Sequence, residues 1–267
     1  MEEECKALER AAKELEKDEP LSAIEKYNET ADCFEKVDKP KNRIKSLTKS
    51  ADIYRSIAKN TENPVEAYEI FGQSSQAYEL AEKQSEAEKV LKEANKKLVD
   101  DAKKLRDEGR KTDELNVAEE KFATGATYAI KAGDTELANN CWEDSANQYR
   151  KSAAEKEDPR AALEVYKHAI QNFRKGANSQ EETKTMTEAA SKFYAKGESI
   201  VKTKIELVYA IDNFLQAHTL FTEANVEEKS NLANTKVDEL CKMMGLPLDY
   251  VTKYFELKNI PPVSLTS

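Results

Sequence analysis

The chain reads as all-α: a right-handed solenoid of about five antiparallel helical hairpins, roughly twelve helices in all. Three observations predict it. The 267 residues are 39% hydrophobic and 35% charged with only 7 Gly and 7 Pro, the balance of helices that bury one face each. Apolar residues return every three or four positions, segment after segment. A pattern of small and aromatic residues is also written five times along the chain, about 47 residues apart, which is the length of a helical hairpin.

Taken in order, Cys5, Leu8, Ala12 and Leu15 mark the face of a first helix over 2–17. Pro20, Pro40, Pro64 and Pro159 suit first helical turns, where a missing N–H costs nothing. They open helices over 20–36, 40–59, 64–82 and 159–176. Gly109, Gly133 and Gly176 stand where a helix can close, and Asp or Ser follows to cap the next. These signals bound helices over 85–109, 112–132, 134–156 and 180–203. Helices over 205–225 and 227–244 and a short one over 248–258 complete the set. Residues 1–19 form a capping helix, 20–226 the hairpins and 227–258 the C-terminal helices, all in one domain. The Pro-Pro end, 259–267, is expected to be a flexible tail.

The repeat has Ala, an aromatic four on, a small or apolar residue eight on and an aromatic eleven on. Its copies are Ala23/Tyr27/Ala31/Phe34, Ala67/Phe71/Ser75/Tyr78, Ala162/Tyr166/Ile170/Phe173 and Ala210/Phe214/His218/Phe221, with a weaker Ala118/Phe122/Ala126/Ala129. These offsets share one helical face, so the small residue admits a neighbouring helix and the aromatic fills the remaining space. An acidic residue follows the first Ala by two in every copy: Glu25, Glu69, Glu120, Glu164 and Asp212. Intervening helices carry Ala with an aromatic three on, as in Ala51/Tyr54, Ala146/Tyr149 and Ala190/Phe193; Lys97 breaks this after Ala94.

The net charge of −9 argues against a general nucleic-acid binder, since phosphate affinity needs clustered Lys and Arg. Cys5, Cys33, Cys141 and Cys241 have no metal-site or redox-motif spacing and read as reduced, mostly buried thiols. The acidic N-terminus is unlike a secretory signal and no apolar run reaches the ~20 residues of a membrane span, so the expected compartment is the cytoplasm.

Catalytic templates find no match. His168 and His218 are the only histidines; Val165 and Leu215 stand where a di-iron bundle needs Glu, and His218 sits in a packing position of the repeat. Phosphate-loop and G-x-S-x-G patterns do not occur. The chain is expected to be no enzyme and to need no cofactor or metal. One charge feature departs from the background: over 36–59, eight basic residues face two acidic ones, with Lys41, Lys45 and Lys49 forming a stripe beside the apolar face of the third helix. Such a stripe serves either as a solvated face or as a docking strip for an acidic helix or an anionic membrane surface. Residues 89–111 hold a weaker excess, nine basic against five acidic. Trp142 with Tyr149 reads as core or as an interface anchor, and Val263 and Leu265 as a linear docking motif or simply an end.

The spacing clearest in Ala23/Tyr27/Ala31/Phe34 resembles the tetratricopeptide group, and in particular the soluble NSF attachment proteins, over roughly residues 20–225. The resemblance implies a sheet of helical hairpins acting as an adaptor. Basic residues along it would hold an elongated acidic SNARE-type helical bundle, and the C-terminal end would recruit a hexameric AAA ATPase. Here that end reads P-P-V-S-L-T-S, with Leu265 its leucine. The expected role is thus a non-catalytic protein-binding scaffold, at most peripheral to membranes. The alternative is a peptide- or small-ligand-sensing helical-repeat protein.

Overall fold

The computed structural model describes residues 1–258, 260 and 263–265. Among them are twelve helices and no strand: α1 (Glu2–Leu15), α2 (Pro20–Lys36), α3 (Pro40–Asn60), α4 (Pro64–Leu80), α5 (Gln84–Arg110), α6 (Leu115–Lys131), α7 (Thr135–Glu155), α8 (Pro159–Lys175), α9 (Ser179–Thr203), α10 (Leu207–Glu223), α11 (Glu227–Met244) and α12 (Leu248–Leu257). The chain is a helical-repeat protein in which neighbouring helices pack in succession.

Helix starts follow their residue chemistry. Pro20, Pro40, Pro64 and Pro159 each stand in a first turn. Asn63 accepts hydrogen bonds from the amides of Val65 and Glu66, Asp158 from Ala161 and Asn178 from Glu181, each satisfying orphan donors of a first turn. α10 begins two residues later than predicted because Lys204 and Glu206 both adopt left-handed backbone, at φ 55° and 56°. Gly133 closes its helix in the expected left-handed conformation, at φ 79°. Gly109 has a different task. It lies inside α5, where an added Cβ would sit 2.9 Å from the Phe122 ring; Gly197 of α9 makes the same room for Phe214. Both rings are the four-on aromatics of a repeat copy, so glycine here sets how closely two helices approach.

All twenty positions of the five copies are buried except His218, which is half-exposed. In α5, where Lys97 breaks the intervening pattern, Leu98 takes the buried place one residue on.

The described residues group into two compact units, one of residues 1–107 with 124–138, the other of 108–123 with 139–267. The sequence led us to expect one repeat domain over 1–258; each change of unit falls inside a helix rather than in a linker. In the first unit α1, α2, α3 and α4 pack in succession, and Ala51, Phe71, Tyr78 and Val90 join α3, α4 and α5 in one core. In the second, Tyr166, Phe193, Leu220 and Phe221 form the core of α8, α9 and α10, while Ile211, Phe214, Val237 and Phe255 join α10, α11 and α12.

Two expectations are corrected. Cys5 and Cys33 are not separate thiols: packing of α1 on α2 brings their Cα atoms to 5.5 Å and they form a disulfide. Cys141 and Cys241 remain buried thiols. The tail over 259–267 is not free where it is described. Leu265 is buried and Val263 packs in the same cluster, because their backbone N–H groups donate to Glu223 (2.7 Å) and Gln216 (2.9 Å) of α10. Asn259, Pro261, Pro262, Thr266 and Ser267 of that expected tail lie outside the described residues. No described helix is long and apolar enough to cross a membrane.

Candidate interaction surface

The basic stripe of α3 is largely engaged by α1. Lys45 pairs with Glu9 at 2.7 Å, Lys49 lies 3.8 Å from Glu16, and Lys39, at the start of α3, lies 3.4 Å from Glu2. Glu2, Glu9 and Glu16 are seven residues apart, two helical turns each, so they stand in one row along α1 and its C-terminal cap. Lys6 first and Lys39 second hold the Glu2 carboxyl below its ordinary range. Tyr27 of α2 donates its phenol to Glu16, and burial together with that carboxylate pushes the phenol pKa up. Of the stripe, Lys41 alone makes no ion pair with a described residue. The lysines thus belong first to the protein's own helix packing.

The same device recurs farther along with arginine, and here sequence reasoning missed it. Arg55 of α3 donates through Nε to Glu93 of α5 at 3.0 Å and through a terminal nitrogen to the same carboxylate; Glu86, one heptad earlier, lies 3.8 Å away. In the second unit Arg150 of α7 holds Glu188 of α9 at 2.7 Å and also pairs with Glu181, again one heptad earlier. Both arginines follow the intervening-helix aromatic directly, in Ala51-Asp52-Ile53-Tyr54-Arg55 and Ala146-Asn147-Gln148-Tyr149-Arg150. The signal that would have found them is this A-x-x-Y-R paired with two Glu seven apart on the next intervening helix. Bidentate, half-buried guanidinium pairs fix helix register more strictly than lysine does. Arg55 holds Glu93 below the usual carboxylate range. Beside it, Tyr78 donates to Asp52; burial and then that carboxylate push the phenol up to about 12.

Other candidates make contacts within the protein. Trp142 is half-buried beneath Lys175, whose ammonium stands 4.4 Å from the ring centre. Tyr149 stacks on His168 at 4.8 Å and donates to Glu119 at 2.6 Å, and Asn172 joins Glu119 to Ser145. His218 Nδ1 lies 2.8 Å from the Ser230 hydroxyl, which also meets Thr222 at 2.7 Å. Among the repeat's acidic residues, Glu69 pairs with Lys131 at 3.7 Å and Asp212 with Arg160 at 3.4 Å, each across alternate helices. The first unit also has an open cavity of about 560 Å³ whose lining includes Glu16, Lys17, Lys49, Asp52, Ile53 and Ile57.

Comparison with known proteins adds little. No family model and no curated protein matches the chain. Among solved structures, a circular tandem repeat protein with novel repeat topology and enhanced subunit contact surfaces aligns over 96% of this chain, which spans 60% of that one, at 15% identity and a TM-score of 0.17. The helical-repeat assignment therefore stands on the helices themselves and on the buried repeat positions.

Proposed function

We propose that the chain is a non-catalytic adaptor that holds another protein along an extended face of its helical repeats. One observation carries the reading: the repeated residues are buried in helix packing, so the outward side chains between them are free to serve docking on a repeat scaffold. The finer form is an adaptor like the soluble NSF attachment proteins, set between an elongated acidic SNARE-type bundle and an AAA ATPase. It rests on the sequence resemblance.

The ion pairs of α1 shape the test. Reversing Lys45 or Lys49 perturbs helix packing as well as any docking strip, whereas Lys41→Glu leaves those pairs intact. The 267-residue chain should capture a coiled-coil bundle in pull-downs with purified SNARE-type helices, less so as salt rises and less with Lys41→Glu. No capture of any acidic helical protein at low salt would overturn the reading. The second reading, a peptide or small-ligand sensor, is favoured by the cavity beside Glu16 and Lys49; a ligand that raises the melting temperature and is lost on Lys49→Ala would support it.

A further inference from the structure

α1 is seated on the molecule by unusual means. Its buried residues are Cys5 and Ala12, with Leu8 and Leu15 only half-buried, whereas α2 buries Ala23, Ile24, Tyr27, Thr30, Ala31 and Phe34. Little apolar area holds it. Beside that packing, it is held by the Cys5–Cys33 disulfide, the Tyr27–Glu16 hydrogen bond and the row of Glu2, Glu9 and Glu16 against Lys39, Lys45 and Lys49. The disulfide yields to reductant and the ion pairs to competing charge. On the α3 face beside those lysines, the buried hydroxyls of Ser46 and Ser50 find no hydrogen-bond partner among the described residues.

We propose that the α2–α3 face beneath α1 is a docking surface for an acidic amphipathic helix with carboxylates every seventh residue, and that the Cys5–Cys33 disulfide decides whether α1 or that partner occupies it. The inference rests on the adaptor reading and names the chemistry of its partner from the helix already seated there. Lys39, Lys45 and Lys49 stand opposite Glu2, Glu9 and Glu16, so charge complementarity favours a helix that offers carboxylates at those places.

The switch is a thiol–disulfide exchange. Cys33 is half-exposed and Cys5 fully buried, so the thiolate of a dithiol reductant attacks the Cys33 sulfur and the Cys5 thiolate leaves and takes a proton. The second thiol of the reductant then attacks its own sulfur in the mixed disulfide, releasing the Cys33 thiolate, which is also protonated. The reductant ends as a disulfide and the protein gains two electrons and two protons. Opening this 28-residue separation removes the covalent tether, and the ion pairs, the Tyr27–Glu16 hydrogen bond and a small apolar contact must then hold α1.

The test uses the full chain and a fluorescein-labelled peptide of residues 1–17 carrying Cys5→Ser as the probe. In a dithiol reductant, and in the double variant C5S/C33S, amide exchange over α1 should quicken at least tenfold while α4 and α8 keep their protection. The probe should bind the reduced chain and not the oxidised one, weaken with salt, and lose binding when its glutamates are reversed (E2K, E9K and E16K). Unchanged α1 exchange in both reduced forms overturns the latch. Faster exchange without probe binding overturns the docking surface. A dimer that forms on reduction with α1 still protected puts a second copy's α1 on the face and overturns the separate partner. Failure to capture any partner protein strikes the adaptor reading and leaves the exchange result standing, so the two failures are distinguishable.

Discussion

The first and last helices of the chain are both amphipathic end pieces, yet they are held by opposite forces. α1 buries a cysteine and an alanine and is secured by a disulfide and a row of Glu–Lys pairs. α12 has no ion pair among the described residues; Val251 and Phe255 insert into the core formed with Ile211, Val237 and Leu240, and Tyr209 meets Phe255 edge-on at 5.7 Å. One end answers to charge and redox state, the other to apolar burial. Phe255 alone removes a large ring from water, worth about 2–3 kcal/mol, whereas an exposed ion pair contributes about 1 kcal/mol or less.

The comparison breaks or sharpens by experiment. The largest effect belongs to Phe255→Ala, which should cost about 3 kcal/mol and release α12 in hydrogen exchange equally at low and high salt. A salt-dependent release of α12 would erase the distinction. Next comes acid. Glu2 is held below its ordinary value of 4.5, so its contribution is complete above that pH and is lost as pH falls through the lower, folded value. Exchange over α1 should therefore quicken as pH is taken below about 4.5, after correction for the intrinsic rate, while α12 keeps its protection. Equal response at both ends would refute the assignment of α1 to charge. The smallest effect is Lys45→Glu with Lys49→Glu, which should lower stability by about 0.2–1 kcal/mol per pair in low-salt thermal unfolding and by less as salt rises.

The arginine clamps sharpen a second contrast with the lysine row. Arg55 and Arg150 each grip two carboxylates one heptad apart, with the guanidinium half-buried, whereas Lys45 and Lys49 each meet one carboxylate from a more exposed position. The lysine row that stood out in sequence sits on the α1 side of α3. The arginine clamps, of which Arg55 lies inside that basic excess but off the lysine stripe and Arg150 lies outside it, are built deeper into the helix layer.

Legibility divides along the same line. Helix starts at Pro20, Pro40, Pro64 and Pro159 were readable because proline fixes φ and lacks an N–H, a local property. The five packing faces were readable because 0, 4, 8 and 11 fall on one side of any α-helix. The left-handed Lys204 and Glu206 were not, since nothing in their side chains demands that backbone. Nor was the space-making role of Gly109 and Gly197, whose reason is a phenylalanine on the following helix.

By itself, then, the sequence determined twelve helices and which stripe of each repeat copy is buried, because both follow from spacing and local backbone chemistry. Only the tertiary structure decided what lies across from each stripe. It paired Cys5 with Cys33, gave the lysines of α3 to the glutamates of α1, and seated Leu265 on α10. Charges and thiols carry no address in the chain; their partners are chosen by which helices pack together, and packing is a property of the folded whole.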